Sequence, residues 1–336
     1  MIASKRLKGD MKMKFAVIAV LVLAIIGVCI ISIPHLIGQT NSDAGALFTV
    51  TGSGIYILDA AYPTVPDYVP IYRIKQVDIS YEKAAQLALS MGMKGDIQYS
   101  GRPGVIQITD DSKNPPESIE IYTTSGAFRY SIPSKEGRSV TYQPLLPSYD
   151  EAKKIADTYL EERNLLRNDF TFEKVKVGDS QETWRAGDTK PLTHYDINLY
   201  VIYRRMINGI PATEGITVTI GENGEVVGLT YKATAIEEKA FRNVKIITPE
   251  EAYNQLVEGN VLIKPLPGVD STIRITNVSL QYYMKAEVYE QQFVLPIYVF
   301  SGVEPSYDSS PIVLYVSAID PDELKIPPLD SSAYSK

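Results

Sequence analysis

A chain of 336 residues with 33 lysines and arginines against 40 aspartates and glutamates has a net charge of −7. That acidic balance argues against nucleic acid as a partner, because phosphate binding needs a basic footprint. Hydrophobic residues make up 45% and charged residues 22%, an ordinary globular composition, and the single cysteine, Cys29, leaves stability to packing rather than to disulfides.

Residues 1–14 form a basic segment in which Lys5, Arg6, Lys8, Lys12 and Lys14 face one acid, Asp10. An uncharged apolar run follows, from Phe15 to Ile33. At a rise of about 1.5 Å per residue, such a helix reaches roughly 28 Å, near the ~30 Å thickness of a bilayer core. The expectation is a single-pass transmembrane helix, a signal-anchor, at residues 15–37. The excess of cations before it places the N-terminus in the cytoplasm and the rest of the chain outside the cell membrane. A cleaved signal peptide ending at Ala44-Gly45-Ala46 fits less well, since the apolar run is longer than a usual signal core and ends well before that site. A lipid-modified Cys29 fits poorly too, because it follows Val28 and lies inside the run.

Three helix starts recur beyond the anchor: Ser80-Tyr81-Glu82-Lys83-Ala84, Ser148-Tyr149-Asp150-Glu151-Ala152 and Thr248-Pro249-Glu250-Glu251-Ala252. In each, a hydroxyl can accept a hydrogen bond from a free first-turn amide, and acids sit at the positive end of the helix dipole. Glu151 and Glu251 fall three positions after their caps and complete capping boxes; Lys83 breaks the pattern in the first. Pro249 suits the first helical position, where its missing N–H costs nothing. The second helix is the clearest, with Ala152, Ile155, Ala156, Tyr159 and Leu160 on one face.

Strand-like sequence follows each helix. After the first come Ile97 to Tyr99, Val105 to Thr109, Ile119 to Thr123 and Phe128 to Ile132, with residues 110–117 as an internal loop. After the second, alternation runs from Tyr195 to Lys232, broken by Asn208-Gly209 and Asn223-Gly224, dipeptides suited to tight hairpins. After the third come Ile273 to Tyr283, Phe293 to Phe300 and Ile312 to Ile319. The abundance of tyrosine, 23 residues against the one tryptophan, Trp184, suits half-buried sheet surfaces. The expected fold class is α+β: a helix followed by an antiparallel meander, repeated as modules at 47–143, 144–240 and 241–322, with a flexible tail at 323–336.

The phrases YRRMINGIPATEGITVTIGENGEVVGLTY, ITPEEAYNQL and FVLPIYVFSG resemble PepSY-type modules and the related YycH/YycI group of membrane-anchored regulators. Tyr203, Asn208, Gly209, Ile210 and Pro211 match the strand-and-turn motif of such modules, and Asn223, Gly224 and Val226 match their second hairpin. The resemblance covers residues 145–320 well and 70–135 loosely. It implies a non-catalytic role. PepSY modules accompany secreted peptidases as inhibitory or chaperone-like segments, and the YycH/YycI group restrains a sensor kinase. No peptidase domain follows here, which points to a standalone regulator.

Chemistry-bearing motifs are sparse. The histidines are His35, at the edge of the apolar run, and His194, and neither HExxH nor CxxC occurs. No G-x-S-x-G accompanies His194, which reads as a surface or strand-edge residue. Gly52-Ser53-Gly54 reads as a turn, and Asp110-Asp111 lacks the oxygen-rich spacing of a calcium loop. Asn277-Val278-Ser279 is an N-glycosylation sequon within an expected strand. No catalytic residue, cofactor or metal ligand is expected.

The leading functional expectation is a non-catalytic binding module for a protein or peptide. Its site would be a sheet edge or a helix–sheet groove where an extended peptide adds as a strand. A carboxylate-dependent hydrolase of cell-envelope polymer and a passive surface scaffold are the rivals. A polar pocket holding two acids about 5–10 Å apart would favour the hydrolase.

Overall fold

Sixteen strands and three α-helices are found among the residues that the computed structural model describes, which are 55–94, 96–99, 102–262, 272–304 and 310–324. In chain order they are β1 (Ile55–Leu58), β2 (Tyr68–Arg73), α1 (Tyr81–Ser90), β3 (Asp96–Tyr99), β4 (Val105–Asp110), β5 (Glu117–Tyr122) and β6 (Phe128–Ser131). Next come α2 (Tyr149–Glu162), β7 (Phe170–Val177), β8 (Ser180–Thr183), β9 (Thr193–Asp196), β10 (Leu199–Ile207), β11 (Ile210–Ile220) and β12 (Val226–Tyr231). The last are β13 (Arg242–Lys245), α3 (Pro249–Val257), β14 (Thr272–Tyr283), β15 (Phe293–Glu304) and β16 (Ser310–Ser317).

The helices begin where their capping chemistry places them. Ser148 and Thr248 accept from the Glu151 and Glu251 amides, and both glutamates return a carboxylate to the cap backbone. Ser80 accepts from Lys83 N at 3.4 Å without the return bond, as the lysine at that position dictates. Asn208 and Asn223 both adopt positive φ, followed by positive-φ Gly209 and Gly224, so the chain turns at both Asn-Gly pairs.

The expectation of three serial helix-plus-meander modules is corrected by the strand pairing. One fourteen-stranded mixed sheet runs β13-β2-β15-β14-β11-β12-β6-β5-β4-β3, with β1, β7, β10 and β16 paired alongside. It draws strands from all three stretches. β12 pairs β6 from Gly228↔Ser131 to Tyr231↔Phe128, and β2 pairs both β13 and β15. A single parallel bridge, Ala212↔Tyr282, joins β11 to β14. Caps and tight turns are local signals; they carry no information about which distant strand shares a hydrogen-bond ladder, and that is where the expectation failed.

The expected transmembrane segment at 15–37 lies outside the described residues, as do His35 and Gly52-Ser53-Gly54. Among the described residues no helix is long and apolar enough to cross a membrane. The described helices have 10, 14 and 9 residues, each with a polar face, too short for a bilayer. The membrane, transmembrane and signal-anchor assignments therefore find no support in the structure.

All described residues belong to one compact unit, Phe48–Lys325, with two apolar clusters. The first packs Ala84 and Ala88 of α1 and Ala152, Ala156 and Leu160 of α2 onto Ile108, Ile119, Val201, Tyr203, Ile216 and Val218 of the sheet. Fully burying a side chain such as Leu160 is worth about 1.5–3 kcal/mol, so the apolar stripe of α2 is what fastens it. The second cluster sets Ala252 and Leu256 of α3 against Tyr298, Phe300 and Leu314. The strands under α1 and α2 point their alternate residues away from those helices. There a register-linked row runs Gln107, Glu120, Arg129, Thr230, Thr217, Ile202, Lys174, polar except for Ile202.

Candidate binding edge

β7 pairs with β10 on one side, and among the described residues its other side has no strand partner. The register explains its surface. Val177, Val175 and Phe172 lie opposite Leu199, Val201 and Tyr203, on the helix side of the sheet; Lys176 and Lys174 lie opposite Tyr200 and Ile202, on the other. Between Lys174 and Phe172 the register shifts by one residue, and Glu173 is the extra one. The Glu173 carboxylate accepts two hydrogen bonds from Arg204, at 2.8 and 2.9 Å, which fixes the bulge.

The edge has two chemically distinct sides. On the helix side Phe172 is 37% exposed; it meets Tyr203 edge-on at 5.9 Å, and the Lys153 ammonium of α2 sits 5.0 Å from its ring. Tyr203 is itself held by a hydrogen bond from its hydroxyl to Asp157 of α2, at 2.6 Å. On the open side Lys174 and Lys176 are exposed, and Lys176 lies 5.8 Å over the Tyr200 ring with no carboxylate in ion-pair range among the described residues. Lys174 has only a 3.7 Å contact with Glu173, which is already committed to Arg204.

The backbone completes the site. Gly178 N donates to Asn198 O at 3.0 Å. Alternation along an antiparallel ladder then directs the N–H and C=O groups of Val177 and Val175 away from β10. These are the groups that an added strand would engage. The sequence expectation was a sheet edge or a helix–sheet groove, and it did not mark this strand, because the bulge breaks its alternation: Phe170 and Phe172 fall on even positions, Val175 and Val177 on odd ones. Two short period-two segments out of phase by one residue were the available signal.

His194 lies exposed on β9. Its Nδ1 meets Glu182 Oε1 at 2.9 Å and its Nε2 meets Asp196 Oδ1 at 3.1 Å. The hydrogen bonds to Glu182 first and Asp196 second raise its pKa above the ordinary value. With a carboxylate on each ring nitrogen, the imidazolium acts as a clasp across the hairpin, and no nitrogen faces a nucleophile. Trp184 N–H donates to the other Glu182 oxygen at 2.9 Å, while its ring is 52% exposed.

A cleft of about 530 Å³ is lined by Asp67, Tyr68, Lys245, Thr248, Glu251 and Asp320 among others. It gathers three carboxylates, those of Asp67, Glu251 and Asp320. Glu251 is held ionised by the Thr248 amide and hydroxyl, and Asp320 by the Asp322 amide and the Lys245 ammonium. Both carboxyls therefore sit below their ordinary pKa, the opposite of what a general acid requires.

The remaining residues singled out in the sequence fall apart from one another. Asp110 is buried and accepts from Ser112 and from the Lys94 amide, so it closes a turn. Asn277 is exposed beside a bulge in β14, opposite Ser301. Among the described residues no group of His, Cys, Asp and Glu is arranged to hold a metal ion.

No family model matches the chain, and no curated protein matches it. Among solved structures, an uncharacterized protein from Eubacterium rectale is 12% identical, with a TM-score of 0.45 over 78% of this chain and 87% of that one. A likeness of that degree carries no functional information.

Proposed function

We propose that this chain is a non-catalytic binding module that takes an extended protein or peptide segment as an added strand on β7. The observation that carries the reading is the unpaired side of an eight-residue strand whose outward backbone groups lie beside an exposed phenylalanine and the side of α2. Main-chain hydrogen bonds would supply affinity, and the two sides of β7 would read alternate side chains. The lowered pKa values of Glu251 and Asp320 weigh against the hydrolase reading. Control of a sensor kinase or a peptidase is the consequence that the PepSY and YycH/YycI resemblance adds to this reading.

The test is selection from a random peptide display library, followed by hydrogen exchange of the full chain with and without the best binder. New protection at Val175 and Val177 is expected. Protection confined to another part of the molecule would reject the edge as the site.

A further inference from the structure

Resting on the strand-addition reading, we infer that the β7 edge selects an acidic, alternating peptide: apolar residues on the side of α2 and carboxylates on the side of Lys174 and Lys176. An added strand points successive side chains to opposite faces, with the directly opposed Cβ atoms about 4.5–5.5 Å apart. On the helix side its residues come to lie beside Phe172, Val175 and Val177, an apolar strip next to the Lys153 stem. On the other side they come to lie beside Lys174 and Lys176, two exposed cations on one face, one of them without an ion-pair partner among the described residues.

The same geometry argues against a second copy as the occupant. Antiparallel pairing of β7 with a second copy, in the register that centres Val175 on Val175, would set Lys174 of each strand against Lys176 of the other, and like charges directly opposed are destabilising. The edge thus sets two exposed lysines on one face of a chain of net charge −7. It complements a carboxylate-rich strand and repels its own duplicate.

Three fluorescently labelled peptides test this against the full chain by anisotropy: alternating valine–glutamate, valine–threonine and valine–lysine. The valine–glutamate peptide is expected to bind about tenfold more tightly than the valine–lysine one, as expected where two exposed attractions replace two repulsions. The margin should shrink as salt rises. In Lys174→Glu/Lys176→Glu the order of the two charged peptides should invert. Equal binding of all three peptides would overturn the charge selectivity while leaving strand addition standing. Binding of none would overturn both.

Val175→Pro locates the site, since that N–H points away from β10 and proline is tolerated at such positions. It should abolish binding of the valine–glutamate peptide with the melting temperature held. If the variant is unstable, protection of the Val175 and Val177 amides in the wild-type complex decides instead, and its absence overturns the proposal. A wild-type dimer that Val175→Pro dissociates would assign the edge to a second copy and overturn it as well.

Discussion

Arg205 and Glu214 form an ion pair inside the sheet, with side chains only 3% and 4% exposed. Arg204 pairs with Gly215 and Met206 with Pro211, so Arg205 faces a stretch of β11 that is longer than its own by two residues. Both charges point inward by the alternation of their strands, Arg205 with Tyr203 and Ile207, Glu214 with Ala212 and Ile216. Each is further satisfied. Arg205 donates to Asp169 at 2.9 Å and to Thr234 O at 2.6 Å, and Glu214 accepts from Thr234 N at 3.1 Å.

Removing one partner leaves the other charge buried and uncompensated. Arg205→Met is therefore expected to cost about 3–5 kcal/mol, measured by urea unfolding, while the double change Arg205→Met/Glu214→Met should recover a large part of that loss. A single-variant cost below about 1 kcal/mol would mean that water reaches the pair.

The helix starts were legible because a cap is chemistry within four residues. Ser148 with Glu151 and Thr248 with Glu251 specify their own geometry, and the structure keeps both boxes. The two Asn-Gly turns were legible for the same reason. What the sequence hid was nonlocal. Nothing in Phe128 to Ser131 announces that it will pair with Val226 to Tyr231, and nothing in Tyr68 to Arg73 announces pairing with both Arg242 to Lys245 and the start of β15. The β7 edge fell between these cases. Its lysines and valines were visible, but Glu173 shifts the period by one residue and conceals the strand.

Gly215 and Gly302 lie where a bulge brings two ladder backbones close together. A Cβ added at Gly215 would collide with the Tyr203 carbonyl oxygen across the β10–β11 ladder, and Gly302 has the same relation to the Arg274 carbonyl in β14. Each collision is with backbone that its own ladder holds in place. Gly215→Ala and Gly302→Ala should each destabilise by about 1–3 kcal/mol, with the amides flanking the bulge losing hydrogen-exchange protection. A neutral result at either site would show that the ladder can open without penalty.

The β8–β9 hairpin should loosen as pH rises. His194 has a pKa raised above its ordinary value by Glu182 and then Asp196, so the clasp is fully formed below the unfolded-state value of about 6.5 and is lost as pH climbs through the folded-state value. Amides at Glu182 and Thr193 should exchange faster above that window, after correction for the intrinsic pH effect. His194→Gln should flatten the dependence. A hairpin whose corrected exchange is the same on both sides of the transition would show that the two carboxylate contacts do not hold it.

The capping glutamates act at the acid end with the opposite sign. Glu151 is held below its ordinary pKa by the Ser148 hydroxyl and then its amide, and Glu251 by the Thr248 amide and then its hydroxyl. A carboxyl whose folded-state pKa is depressed contributes stability that is present above its unfolded value, about 4.3, and is lost as pH falls through the folded one. Unfolding free energy measured in urea should therefore decline on acidification across that window. Glu151→Gln keeps an oxygen for the Ser148 amide but cannot titrate, so it should be less stable than the parent at neutral pH and should decline less steeply toward pH 3. Parallel curves for parent and variant would mean that the box persists with a protonated carboxyl, its oxygen still accepting from the cap.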